Sequence, residues 1–181
     1  MDKTYADTVR LLLAVAPDVF ANDIFAMKGG TAINLFVRDM PRLSVDIDVV
    51  YLPWQTPRDE ALQAINQELA AIATRVAPLG VQTRLVRAKD LGDTKLIVEN
   101  DASQVKIEVN VVFRGSVLPV ERRPLSAKTS DLFGVEFELP VLAPDELYAS
   151  KLVAALDRQH PRDLFDVWQL YESGDISDGM V

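Results

Sequence analysis

The 181-residue chain has no cysteine and one histidine, His160. The first absence excludes a disulfide scaffold, a thiolate zinc site and a cysteine nucleophile, and it fits a reducing compartment. The second excludes any metal motif built on two histidines. No apolar run approaches the ~20 residues of a membrane span. The opening Met-Asp-Lys-Thr-Tyr-Ala-Asp lacks the basic start and apolar centre of a signal peptide. Cations are outnumbered, 19 Lys and Arg against 27 Asp and Glu, for a formal net charge of -8. That argues against a broad basic nucleic-acid platform but leaves room for local patches. Two are candidates: Arg114, Arg122, Arg123 and Lys128, and Lys151, Arg158 and Arg162. Part of the acidity is what metal ligands would contribute.

What is present is an ordinary globular composition, 49 % apolar and 25 % charged. The length suits one domain, or a domain with a helical extension. Residues 4–16 read as an amphipathic helix. Phe25 and Met27 lead into Gly29-Gly30, and Thr31 is placed to cap a helix running to Val37. A polar loop through Pro41 precedes an apolar strand over 45–52. Thr56-Pro57 predicts a helix start, with Leu62, Ile65, Leu69, Ile72 and Val76 as its apolar seam and Pro78 and Gly80 as its end. Strands are expected over 81–86, 95–99, 105–113 and 135–139, with the turn of a hairpin at Asn100 to Ser103. In the third of these, Val105, Ile107, Val109, Val111 and Phe113 share one face; Lys106, Glu108 and Asn110 share the other. From Pro144 the pattern is helical, and Pro161 starts a second helix. The whole is expected to be α+β, divided near residue 140.

Chemistry concentrates in a few motifs. Asp46 and Asp48, two apart on a strand, project to one face roughly 6–7 Å apart along the chain. Their neighbours Val45, Ile47, Val49 and Val50 are apolar, so the two carboxylates need a partner. Hard oxygen ligands of this kind suit Mg2+ with substrate phosphates. Gly29-Gly30, turning into a helix, offers N–H groups to an anion. Glu108, on the polar face of its strand, completes a three-carboxylate set if that strand lies beside the Asp-x-Asp strand in one antiparallel sheet. Such a set holds two cations roughly 4 Å apart, the arrangement that clamps attacking and leaving oxygens in phosphoryl transfer. Lys151, Arg158 and Arg162 would share one helix face if Pro161 did not break the register. Spacing alone favours a solvated helix bridged to Asp157, Asp163 and Asp166. Lys28 and His160 read as surface residues, and Trp54 and Trp168 as packing residues.

This combination resembles the nucleotidyltransferase superfamily shared with the DNA polymerase beta group: a Gly-Gly turn, an Asp-x-Asp strand, and a third carboxylate on a later strand. More narrowly it resembles the AbiEii-type nucleotidyltransferases, the toxin half of type IV toxin–antitoxin and abortive-infection systems. The narrower likeness rests on Lys28-Gly-Gly-Thr-Ala, Arg42-Leu-Ser-Val-Asp-Ile-Asp, and Lys151-x-x-Ala-x-x-x-Arg158-x-x-x-Arg162-Asp163-x-x-Asp166. It implies a nucleotidyltransferase fold with a mixed or antiparallel sheet and flanking helices over 1–140. Residues 141–181 would be a helical segment completing the nucleotide site, shorter than the C-terminal region of many relatives. It implies a cytoplasmic enzyme that uses two Mg2+ ions and a nucleoside triphosphate to modify RNA, including tRNA ends, with an AbiEi-like antitoxin as partner. Asp46, Asp48 and Glu108 resemble the metal-binding acids, and Lys151 with Asp163 further catalytic residues. Lys28, Gly29, Gly30, Thr31, Lys151, Arg158, Arg162 and Asp166 resemble the nucleotide-binding set. Transfer to a protein hydroxyl, or a non-catalytic nucleotide-binding module of the same fold, are the alternatives.

Overall fold

The computed structural model describes residues 2–88 and 92–180. Among them, seven strands form one mixed sheet in the order β3-β4-β5-β2-β1-β7-β6. The strands are β1 (Phe25–Lys28), β2 (Ile47–Tyr51), β3 (Gln82–Ala88), β4 (Gly92–Glu99), β5 (Gln104–Asn110), β6 (Glu121–Pro124) and β7 (Glu138–Val141). Neighbours run antiparallel except β2 with β5 and β1 with β7, which are parallel. The Asp-x-Asp strand and the Glu108 strand are thus side by side as expected, but parallel rather than antiparallel. The reason is topological: β3 and β4 make a hairpin outside β5, so β5 enters the centre in the same direction as β2.

One face of the sheet is covered by α1 (Lys3–Val19) and α3 (Arg58–Val76). Val9, Leu12, Val15 and Val19 of α1 are fully buried, a spacing of three and four that lays one stripe on the sheet. The α3 seam is Ala61, Ile65, Leu69, Ile72 and Val76; Leu62 is only half-buried. Each of these larger side chains contributes about 1.5–3 kcal/mol by burial. Glu68 is buried on the same helix because Asn22 Nδ2 donates to it at 2.7 Å and Arg75 Nη2 at 2.5 Å. The alternating β5 residues Val105, Ile107 and Val109 complete this core.

The other side carries α2 (Gly29–Ala32), continuous with a π-helical turn (Ile33–Val37), then α5 (Pro144–Arg158) and α6 (Pro161–Ser173). A short α4 (Ala127–Phe133) and β6 were not anticipated from the sequence; β6 is a four-residue edge strand of Glu-Arg-Arg-Pro with no apolar alternation. The β7 strand begins three residues later than predicted and ends two later, and its Val141 pairs with Met27 of β1.

Several local expectations are corrected. Thr31 lies inside α2 rather than capping it; its Oγ1 meets Ser44 Oγ at 3.0 Å. The α3 helix starts at Arg58 with Pro57 as its cap residue. The β5 strand stops at Asn110, whose Oδ1 accepts from the N–H groups of Val112 and Phe113 and turns the chain. Phe113 is therefore exposed. Trp54 and Trp168 are more than half exposed rather than core; Trp54 lies against Gly115, and Trp168 leans on Phe165.

Candidate active site

Cross-strand register builds the acidic floor. Residues directly opposite on neighbouring strands share a face. Lys28 of β1 opposes Asp48 of β2, Asp48 opposes Glu108 of β5, and Glu108 opposes Lys95 of β4. One row across four strands thus reads cation, acid, acid, cation. Asp46 sits one residue before β2, and Lys106 Nζ reaches its Oδ1 at 3.6 Å. Lys95 Nζ reaches Glu108 Oε1 at 3.1 Å. Asp48 is the innermost acid. Burial, then the charges of Asp46 and Glu108, push its carboxyl above the usual carboxylate range; Lys151 and Lys28 oppose this. Lys28 is half-buried rather than a free surface lysine. Burial lowers its ammonium pKa, which Asp48 and Glu146 partly restore.

The glycine turn is fitted to this floor. Gly29 has φ +79°, and a Cβ on it would lie 2.5 Å from Asp48 Oδ2. A Cβ on Gly30 would strike the Arg42 guanidinium. Asn34, fully buried in the π-helical turn, locks the segment. Its Nδ2 donates to Gly30 O at 2.7 Å, and its Oδ1 accepts from the Arg42 N–H at 3.1 Å. The wide turn is closed by Arg38 N–H donating to Ile33 O.

The C-terminal helices supply the opposite wall. Gln159 (φ +49°) and His160 break the helix, so Lys151 lies on α5, Arg158 at its end, and Arg162 on α6. The break expected at Pro161 is present, so the three do not share one helix face, yet all three side chains reach one cleft because α5 and α6 fold back on each other. Lys151 Nζ donates to Asp163 Oδ1 at 2.7 Å and lies 3.2 Å from Asp166 Oδ2. Arg158 Nε takes the other oxygen of Asp163 at 2.8 Å. Arg42 binds both oxygens of Asp166, at 2.6 and 2.7 Å. Three cations and two buried acids therefore leave one net positive charge. Burial alone would raise the Asp163 carboxyl, but its bonds to Lys151 and Arg158 outweigh it and hold the group below the usual range. His160 is the exposed cap of α6, its Nδ1 accepting from the Arg162 N–H.

Gly30, Arg42, Ser44, Asp46, Asp48, Glu108, Lys151, Arg158, His160, Arg162 and Asp163 line one cleft of about 240 Å³. Gly29 and Asp166 stand directly behind that lining, Gly29 against Asp48 and Asp166 behind Arg42. Lys28 faces Asp48 and Lys151, and Thr31 is buried behind Ser44. Acids on one wall and cations on the other suit a triphosphate bridged by divalent metal. Three hard carboxylate oxygen donors, with Asp48 reluctant to ionise beside its neighbours, match a divalent cation in chemistry. Among the described residues no three acids or imidazoles already close on a single point. Lys106 and Lys95 draw the outer two aside. The other basic patch does not converge: Arg114 donates to Thr56 O, Arg122 to Glu138 O, Arg123 to Glu121, and Lys128 to Asp39 O. Sequence reasoning missed Arg42, Asn34 and Lys95. Arg42 stands in a quoted motif without a role, whereas Asn34 gave no signal. Lys106 was on the correct face of its strand but was given no task.

The chain matches the family described as nucleotidyl transferase AbiEii toxin, type IV TA system, over residues 10–180. It belongs to the AbiEii family. Among solved structures, this AbiEii chain is similar to MenT4, a nucleotidyltransferase toxin from Mycobacterium tuberculosis H37Rv, with TM-score 0.62 and 22 % identity. That likeness covers 97 % of this chain but 61 % of MenT4, so the chain spans about three fifths of that relative's length. The antibiotic-resistance factor ANT(2'')-Ia is similar at TM-score 0.53 and 14 % identity, over 99 % of this chain and 89 % of that one. Both show the nucleotidyltransferase fold. No curated protein matches the AbiEii chain. Among its described residues no helix is long and apolar enough to cross a membrane.

Proposed function

We propose that this chain is a Mg2+-dependent nucleotidyltransferase that moves a nucleotide from a nucleoside triphosphate to an RNA acceptor, tRNA-like in kind. In this reading it is the toxin of a type IV or abortive-infection system, cytoplasmic and paired with an AbiEi-like antitoxin. The carrying observation is the single cleft with Asp46, Asp48 and Glu108 on one wall and Lys151, Arg158 and Arg162 on the other.

Asp46, Asp48 and Glu108 would hold two Mg2+ ions. When bound, the metal neutralises phosphate charge and lowers the pKa of the acceptor hydroxyl. The chain's own groups do the rest. The Gly29-Gly30 turn, with Thr31 following it, would present backbone N–H groups to a triphosphate with no Cβ at either glycine. Lys28 and Lys151 place positive charge beside the phosphates as charge develops on the leaving pyrophosphate. Arg158 and Arg162, at the mouth, orient the nucleotide. Asp163 and Asp166 aim Lys151 and Arg42, making residues 141–181 the segment that completes the nucleotide site.

The test is incubation of the four labelled triphosphates with total RNA and total protein in Mg2+. Label entering RNA with wild type and not with Asp48→Asn is the expected result. Full labelling by Asp48→Asn, or label in protein alone, overturns the reading.

A further inference from the structure

The acidic floor continues into an open sheet face. Arg84 of β3 opposes Ile97 of β4, and Ile97 opposes Lys106 of β5. Opposed residues share a face, so Arg84, Ile97 and Lys106 form one row that ends at Asp46. The adjacent row carries Lys95 and ends at Glu108 and Asp48. Lys106 and Lys95 have side chains 42 % and 38 % exposed, and Arg84 is exposed. Ile97, between Arg84 and Lys106, is only 9 % exposed. That burial fits long cationic stems lying over it with their heads in solvent. Strands are about 4.8 Å apart, so Arg84 and Lys106, two strands apart, sit on backbones roughly 10 Å from each other. Glu99, on the same face of β4, accepts from Gln104 Nε2 at 2.9 Å.

A chain of charge -8 that gathers one exposed and two half-exposed cations on one sheet face, the latter two reaching Glu108 and Asp46, has a surface complementary to a polyanion leading to its carboxylates. A row of cations a strand or two apart matches a phosphodiester backbone. We propose that the Arg84–Ile97–Lys106 row, with Lys95 beside it, is the track on which the phosphodiester backbone of a single-stranded acceptor lies, delivering its terminal hydroxyl to Asp46, Asp48 and Glu108. This deepens the transfer-to-RNA reading and rests on it.

The experiment measures binding of a fluorescent 12-nucleotide single-stranded RNA by the full chain in Mg2+ as a function of KCl. Each backbone contact removed flattens the slope of log K against log[salt] by about 0.7. Arg84→Gln and Lys106→Gln should each lose that amount, and the double variant about 1.4. Lys106→Arg should restore the wild-type slope. Arg122→Gln, on the edge strand at the opposite end of the sheet, should leave it unchanged. In the transfer assay, Arg84→Gln should raise the KM for RNA and leave the KM for nucleotide within twofold. An unchanged slope in the double variant, or an equal loss in Arg122→Gln, overturns the track. If wild type labels RNA while the double variant keeps its slope, the track alone falls. If wild type binds no RNA or labels only protein, the track and the RNA reading fall together.

Discussion

Consider replacing Asp166 by alanine. The side chain is 1 % exposed, receives both guanidinium bonds of Arg42 at 2.6 and 2.7 Å, and stands 3.2 Å from Lys151 Nζ. Removing it strips Arg42 of its bidentate partner in a place where water reaches it poorly, and takes away one of the two acids paired with Lys151. Breaking a buried pair by deleting one member costs about 3–5 kcal/mol. Against a total stability of about 5–15 kcal/mol this is a large fraction. At about 2–4 °C per kcal/mol for a chain of this size, the melting point should fall by roughly 6–20 °C. Thermal unfolding followed by far-UV circular dichroism measures the shift, and urea unfolding gives the free-energy loss, with an unchanged m-value confirming that compactness is not the cause. Glu121→Gln, which breaks the exposed pair with Arg123, is the control, with an expected loss below about 1 kcal/mol. The double variant Arg42→Met/Asp166→Leu should recover much of the lost stability, because a well-packed apolar pair replaces the ions, yet it should bind triphosphate poorly. If Asp166→Ala costs no more than Glu121→Gln, the account of this network as a buried anchor is wrong.

Three further outcomes follow from the geometry. Gly29→Ala, at φ +79° and against Asp48 Oδ2, should cost about 1–3 kcal/mol in denaturant unfolding and displace Asp48 enough to remove transfer activity; wild-type activity would show that the turn tolerates a side chain. Asp163, held below the ordinary carboxylate range, contributes stability that is present above that range and is lost as pH falls through its depressed value; an Asp163→Asn variant should therefore be less stable at neutral pH and show a shallower loss as pH falls through and below the ordinary carboxylate range, and parallel acid curves would contradict this. Lys28→Met should remove a half-buried cation facing Asp48 and raise the KM for nucleoside triphosphate more than it lowers kcat, as read by steady-state kinetics.

The central elements were legible because their signals are local. The alternation of Val105, Ile107 and Val109 against Lys106 and Glu108 fixed which face each side chain takes, and the β5 strand obeys it. The Gly29-Gly30 turn stands where the sequence places it, and the Asp-x-Asp strand is shorter than the expected 45–52, running over Ile47–Tyr51 with Asp46 just before it. What escaped was set by tertiary partners. Parallel pairing of β2 with β5 depends on the β3–β4 hairpin lying outside, which no local pattern encodes. Arg42 reaches Asp166 across a separation of 124 residues. Pro161 signals the break in the basic run from Lys151 to Arg162, but the left-handed Gln159 that folds the two helices back on each other carries no local signal. The end of β5 at Asn110 was hidden by apolar Val112 and Phe113, which continue the strand's composition while the Asn110 side chain bends the backbone away.

Because β5 joins β2 in parallel, Glu108 takes its place beside Asp48 only after sixty further residues have been made, and Asp166 comes later still. At translation rates of about 5–20 residues per second, an emerging polypeptide spends roughly 6–24 s with its first acids synthesised and its opposing wall missing. In the proposed reading, an emerging copy therefore has no wall to hold a triphosphate while it sits beside ribosomal RNA, and transfer waits until α6 has left the exit tunnel.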